Sequence, residues 1–395
     1  MAPVNMPFDA DYVSDPYTTT ERLRQDAAVH HVTSPDGKPL WLVTGYAAAR
    51  DALADPRLSL DRRNSGGGYS GFNLPPALDQ NLLNMDPPAH TRVRGLVARA
   101  FTPRRVERLS AGIQRTADDL LGRLDGGSTV DLMSGYAAIL PIIVICDLLG
   151  VPSADRHDFR AWTNTLVMPQ PGDDPRKAMT EMLAFLLGLI AAKRAQPGDD
   201  LISALIQARD GDSRIQEDEL ISLVFLVLWA GYETTVDLIG NGLLAILTNP
   251  EVRAGLLAGQ HAFADVIEEL LRFNGPAILS IRRFPVEDVK IGETTIPAGD
   301  TVLISLAAAN RDPSRFENPG TVIPSRRDRG HLAFGHGIHH CLGAHLARTE
   351  GIIGIGTVLR RYPAVQLAVP ARDLAWRPSI RTHGLQSLPV LLTTR

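Results

Sequence analysis

Cysteine is almost absent from this chain: Cys146 and Cys341 are the only two among 395 residues. Two thiols make no disulfide framework, which excludes the small secreted scaffolds that depend on one. Long apolar runs are also missing. None reaches the roughly 18 residues of a membrane-spanning helix, and the start at Met1 to Asn5 has no secretory pattern. Charge of one sign is not in excess either. A net charge of −4 argues against general nucleic-acid affinity, and no flavin-binding or iron–sulfur segment is visible. The expectation is a cytoplasmic protein with neither membrane nor nucleic acid as partner. Its composition, 44% hydrophobic and 21% charged, is that of an ordinary globular chain, long enough for one large domain or two.

What is present concentrates around Cys341. The run from Phe334 to Gly343 holds glycines at 335, 337 and 343 and histidines at 336, 339 and 340. An apolar helical pattern from Leu342 to Leu359 follows it. Thiolate is a soft ligand suited to iron, and a helix start stabilises a sulfur anion through its amides and dipole. Glycine leaves room for a flat cofactor and frees the backbone, and His339 is placed to donate to an acidic edge of one. Two plainer readings stand beside this. A lone intracellular cysteine is usually a buried structural residue. A zinc site could use Cys341 with His336, His339, His340 or His345, although the second cysteine pair or spaced histidine pair of such sites is not visible.

The run also matches Phe-Gly-x-Gly-x-His-x-Cys-x-Gly at every defining position, and so resembles the haem-binding signature of cytochrome P450. In that family a cysteine thiolate is the haem ligand. The resemblance implies haem b, with Cys341 on the iron and Phe334, Gly335, His339 and Gly343 around it. Missing a membrane anchor, the chain resembles the soluble bacterial branch.

Other segments resemble the family in the same order. Pro88 to Ala100 is basic and helical, and His90 and Arg94, four apart, share a face. A solvated charged face is the ordinary explanation; the resemblance makes both residues propionate ligands. Glu217 to Thr248 reads as a helix of about 32 residues, roughly 48 Å long, apolar almost all round from Leu220 to Ala230 and therefore central. Within it, Ala230 to Thr235 puts a glycine, an acid and two threonines where a buried helix would not choose them. Thr hydroxyls bonding back to their own helix account for part of this. The resemblance adds an oxygen-activation role, with Ala230 beside the haem, a local bend opening a groove, Thr234 steadying oxygen and a water, and Glu233 relaying protons.

Glu269 and Arg272 resemble the family's structural ion pair, with Arg326 as third partner. From Ala277 to Ile304 the pattern turns to strands. Arg283 there fits a further propionate ligand, with Arg282 as the alternative if the register slips. Val322 and Ile323 depart from the family's usual Phe-Asp. Cys146, in an apolar helix from Tyr136 to Leu149, reads as core. The glycine-rich stretch from Asn64 to Phe72, running on towards Asp86, reads as a lid, and Met168 to Pro175 as a hinge between helices. The last residues, Trp376 to Leu392, read as strands with a turn at His383 to Gln386.

The resemblance covers nearly the whole chain. It implies one domain over 1–395, mainly α with a smaller β region, and haem between the central helix and the cysteine-bearing helix. The implied activity is insertion of one oxygen atom into a C–H or C=C bond of a largely apolar small molecule. Macrolides, other secondary metabolites and steroids are the substrate classes of the members it most resembles. Electrons would come from NAD(P)H through a ferredoxin and its reductase, docked on a basic face at Arg92, Arg99, Arg104 and Arg105. Substrate contacts would come from Tyr69, Phe72, Leu226, Trp229, Ala277, Leu279, Leu385 and Gln386. A haem sensor without turnover, or a peroxide-driven enzyme, would keep Cys341 without needing Glu233 and Thr234.

Overall fold

The computed structural model describes residues 6–67, 76–124, 128–167, 169–210 and 215–393. Most of its helices start where the local chemistry dictates. Asp15 accepts from the amides of Tyr17 and Thr18 ahead of Pro16–Asp26, Thr102 caps Pro103–Gly122, and Asp174 caps Pro175–Ala195. Each has proline in its first turn, where the missing amide costs nothing. Gln216 and Glu219 form a reciprocal capping box at the start of the central helix, Glu217–Leu247. The helix Leu140–Leu149 follows a π-helical turn at Met133–Ala137 and stops at Gly150, whose φ is +68°. Its expected start at Tyr136 is thus displaced to Leu140.

The central helix is buried on nearly every face, from Leu220 to Phe225 and again from Thr235 to Ile246. It packs on Ala344–Arg361, Leu140–Leu149, Phe263–Asn274 and Pro76–Asp79. Glycine allows the closest approach: a Cβ at Gly242 would lie 2.5 Å from Ile355 Cδ1, and one at Gly354 would lie 3.1 Å from Ile239 Cδ1. By length and hydropathy the helix would also cross a membrane, but its apolar window is mostly covered by the rest of the fold. Cys146 is in the same core, its thiol pushed up to about 12 by burial.

The β structure is small. Val29–Thr33 and Pro39–Val43 form a hairpin around Gly37, and Val302–Ile304 adds in parallel to its far strand. Leu58–Ser59 pairs with Phe284–Pro285, and Arg283 bridges Val302, which fixes the register of the arginine strand. Near the end of the chain the structure corrects the expected turn. Trp376 bridges Leu385, and Arg377 N–H donates to Gly384 O at 2.8 Å. Gly384 and Leu385 therefore belong to a paired segment, and the reversal lies between Ser379 and His383.

The expected lid is corrected in its described part. Leu78 and Leu82 are 0% and 3% exposed in the main core, and Arg62 pairs with Asp79 at 2.8 Å. Residues 78–85 pack as a cover. Tyr69, Phe72 and Met168 lie outside the described residues.

Candidate active site around Cys341

Cys341 lies ahead of the helix Ala344–Arg361, which begins two residues later than the sequence pattern indicates. Its amide donates to Phe334 O at 2.9 Å, closing the loop, and the Arg348 guanidinium sits 4.6 Å over the Phe334 ring. Gly335 and Gly337 have φ of +72° and +73°, and a Cβ at Gly337 would come within 3.1 Å of the Ala54 backbone. Those two positions need glycine. Gly343 does not use that freedom: its φ is −79°, and its Cα faces the sulfur, so that a Cβ would sit 3.8 Å from Sγ.

The Cys341 side chain is solvent-accessible although protein surrounds it closely, as befits a group facing an internal cleft. Burial raises its pKa, and the amides of Gly343 and Ala344 with the charges of Arg94 and Arg348 offset this only in part. The amides at the helix start do favour the sulfur anion, as expected, but burial outweighs them in the protein alone. A bound metal ion would deprotonate the thiol outright.

The residues expected to hold acidic groups do converge. His90 is 1% exposed, and its ring lies 4.2 Å from that of His339. Arg94 donates to the carbonyl of His340. Arg283 is 4% exposed and donates to Leu58 O at 3.3 Å. Burial, then His90, Arg283 and Arg94, push His339 down to about 3; burial and then Arg94 lower His90; burial takes Arg283 down to about 10. His90 and His339 are thus held towards the neutral form in the protein alone, in which each ring keeps one N–H to donate. Three atoms here, His90 Nδ1 and Nε2 and Arg283 Nε, are buried with no protein partner. A neutral His90 ring keeps one N–H, so one donor on His90 and Arg283 Nε are buried without acceptors; that is costly, and a dianionic propionate edge is what they satisfy. The residues fit haem. Zinc would leave that set unused, and no group of three metal-ligating side chains exists among the described residues.

The opposite wall is the central helix. From Leu226 to Thr234 only Leu228 and Tyr232 are buried; Leu226, Val227, Trp229, Gly231, Glu233 and Thr234 are half-buried and Ala230 is exposed. Positions 226, 230 and 234 share one face and form a stripe along the centre of this accessible stretch. The helix is continuous through it. Thr234 and Thr235 donate to Ala230 O and Gly231 O, each at 2.8 Å. Glu233 accepts from Thr382 at 3.1 Å and pairs with Arg377 at 3.4 Å. Arg377 also binds Asp237, which is fully buried one turn further on. Sequence reading missed Asp237, Arg377 and Thr382. An acid four residues after Glu233 in a buried helix was the available signal for Asp237; the other two are brought near only by folding.

Of the expected substrate contacts, Leu226 and Trp229 lie on or beside the stripe, and Ala277 is half-buried at the bridge to Thr382. Leu279, 4% exposed, packs with Leu23, Leu40 and Leu42, and Leu385, 1% exposed, with the main core; neither offers surface to a ligand. Gln386 is exposed and bonded to Trp376 O at 2.9 Å, pinning its own hairpin. Two of the four dock arginines are also committed elsewhere: Arg92 pairs with Glu219 and Arg105 with Asp199, leaving Arg99 and Arg104 exposed. Arg326 meets Glu269 at 3.1 Å as expected, beside Arg272, and the Ile323 amide also donates to Glu269.

A protein-family model described as Cytochrome P450 matches residues 175–258 and 263–369. Among curated relatives, the cytochrome P450 monooxygenase PikC of Streptomyces venezuelae is 46% identical over 96% of this chain and 92% of its own. Vitamin D(3) 25-hydroxylase of Pseudonocardia autotrophica is 42% identical over 98% and 96%. The tirandamycin C-bound P450 monooxygenase TamI superposes with a TM-score of 0.90 at 41% identity, over 99% of this chain and 100% of that one. With identities above 40% running over nearly the whole chain, this chain belongs to the cytochrome P450 family.

Proposed function

We propose that this haem-thiolate monooxygenase oxidises a largely apolar, ring-containing natural product, with Glu233 and Thr234 serving the oxygen side. The carrying observation is the accessible stretch from Leu226 to Thr234, with Leu226, Ala230 and Thr234 on one face, in a helix buried on both sides of it. Haem under a thiolate supplies dioxygen activation, one atom entering the substrate and the other leaving as water. Cys341 would ligate the iron; His90, Arg94, Arg283 and His339 would hold the propionates; Phe334, Gly335 and Gly343 shape the sulfur side and Ala230 leaves the other face clear. The Thr234 hydroxyl spends its proton on Ala230 O, so its lone pairs are free to accept from a water. Glu233 is the nearby proton-holding group, oriented by Thr382 and Arg377.

Leu226 and Trp229 make the wall beside the stripe mostly apolar, which favours a hydrophobic skeleton with few polar anchors. Relatives that act on vitamin D3 or bind tirandamycin C support the same class. The electron donor is a ferredoxin with its reductase, docked at Arg99 and Arg104, in a single-domain cytoplasmic enzyme.

Reduced protein under CO is expected to give the red-shifted Soret band of thiolate-ligated haem; its absence overturns the reading. Vitamin D3, tirandamycin C and a macrolide form the first panel, scored by the low-to-high-spin shift. With a responding compound, Thr234→Ala should release peroxide at the expense of product, and fully coupled turnover by that variant removes Thr234 from the mechanism.

A further inference from the structure

The central helix carries a second acid that the reading above leaves without a task. Asp237 is one turn beyond Glu233 and so on the same face, with 0% exposure. Both carboxylates reach the same cation: Arg377 Nη1 lies 3.4 Å from Glu233 Oε1, and Nη2 donates to Asp237 Oδ1. The unit is tightly enclosed, since a Cβ at Gly384 would collide with both the Asp237 carboxyl and the Arg377 guanidinium. One guanidinium balances one carboxylate. With both acids ionised, the cluster would hold a net negative charge in a buried place, and Asp237 Oδ2 has no protein partner. Two carboxyl groups in that position keep one proton between them.

The polar groups continue beyond Asp237. Asn241, the next turn of the helix, donates to His383 O at 2.7 Å. The His383 ring stacks on Trp376 at 3.7 Å, and its Nδ1 meets Asn274 Oδ1 at 3.1 Å. Its environment includes the Ser14 backbone and Asp15, both exposed residues. Nine side-chain atoms among the described residues are buried without partners, and four of them belong to this seam: Asp237 Oδ2, Arg377 Nε, Asn241 Oδ1 and His383 Nε2. A concentration of such atoms marks where ordered water completes the hydrogen bonding.

We propose that Asp237 is a further proton-holding residue of the oxygen side, sharing one proton with Glu233 around Arg377 and recharging Glu233 through the watered seam. Monooxygenation consumes two protons and two electrons per dioxygen, and NAD(P)H supplies the electrons. The shared proton rests on Asp237, passes to Glu233 by way of water, and is given by the Glu233 carboxyl towards Thr234. Both carboxylates are then ionised, with the Arg377 guanidinium between them balancing one of the two charges. A proton from solvent, relayed past His383 and Asn241, restores the starting state. Burial holds Asp237 well above the usual carboxylate range, and Arg377 lowers it only in part. This inference rests on Glu233 acting as the acid.

The test uses the holoenzyme and the near-isosteric Asp237→Asn. Glu350 is a second fully buried acid with a raised pKa, so Glu350→Gln serves as the background for infrared spectra. There, a carbonyl band of a protonated carboxylic acid that moves in D2O should be present at neutral pH and vanish with Asp237→Asn. With the panel compound giving the largest spin shift and a plant-type ferredoxin system, Asp237→Asn should keep that shift. It should lose product per NADPH about tenfold, less than the roughly hundredfold lower bound for general acid catalysis as a whole. No Asp237-dependent band, or unchanged coupling, overturns the proposal. If Glu233→Gln is itself fully coupled, the reading of Glu233 fails instead. Should Asp237→Asn not retain haem, a proton inventory on the unmodified enzyme decides: a curved dependence on D2O fraction supports two protons in flight, and a linear one overturns it.

Discussion

Arg283 is a long cation sealed from solvent, with its Nε unpaired and only one carbonyl bond through Nη1. Burial depresses its pKa to about 10, although Asp86 and Asp55 pull the other way. Such a residue is under-satisfied until an anion arrives, and its neighbour Arg282 is merely half-buried. Arg283→Met should therefore weaken haem retention by about 2 kcal/mol, roughly thirtyfold, as expected when one partner of a buried charge pair is lost. Arg282→Met should leave it near the parent value. Haem transfer to excess apomyoglobin measures both, and equal transfer rates would remove Arg283 from the site. The sequence could present both arginines but not choose between them. The choice comes from the bridge to Val302, which sets which side of the strand faces His339. Cys341 shows the same limit: its motif was plain, whereas the balance of burial against the Gly343 and Ala344 amides appears only in three dimensions.

Helices of this molecule were legible where hydrophobic period and caps agreed, as in Glu217–Leu247 with its capping box. How they are joined was not. Glu268 on Phe263–Asn274 accepts from Arg348 on the cysteine-side helix and meets His331 Nε2 at 3.2 Å, yet nothing in its neighbours in sequence sets it apart from Glu269. Burial raises Glu268, but the hydrogen bonds of His331 and Arg348 outweigh this and hold it at about 2. Glu268→Gln should cost about 1–2 kcal/mol after allowance for the exposed part of Arg348. It should lower Tm by a few degrees and loosen the cysteine loop, seen as a larger inactive-type fraction in the CO spectrum. A Tm equal to the parent's would show that this pair is not what joins the two helices. The terminal hairpin was misread for a related reason. Gly384 looked like a turn residue, but it is glycine because Asp237 and Arg377 occupy the space where a Cβ would be.

The whole molecule combines these local balances into one acid response. His383, wedged between Trp376 and Tyr17, is pushed down from 6.5 to about 4, chiefly by burial. The Ser14 backbone and Asp15 oppose that shift, and Arg311 adds to it. Its folded pKa lies below the unfolded one, so folding favours the neutral ring. That contribution is complete above pH 6.5 and is lost as the pH falls towards 4, amounting to about 2–3 kcal/mol. Glu268 is also depressed, from 4.5 to about 2, and as a carboxylate it contributes above pH 4.5 and fades towards pH 2. The two windows hardly overlap, so Tm against pH should fall in two stages. His383→Gln should be less stable at neutral pH but flatter between 6.5 and 4, and Glu268→Gln should flatten only the lower stage. Because His383 also ends the seam that begins at Glu233, its stage should be accompanied by loss of coupling in turnover, whereas the Glu268 stage should release haem. A single-stage acid curve, identical in shape for both variants, would mean that neither group carries the acid sensitivity of the fold.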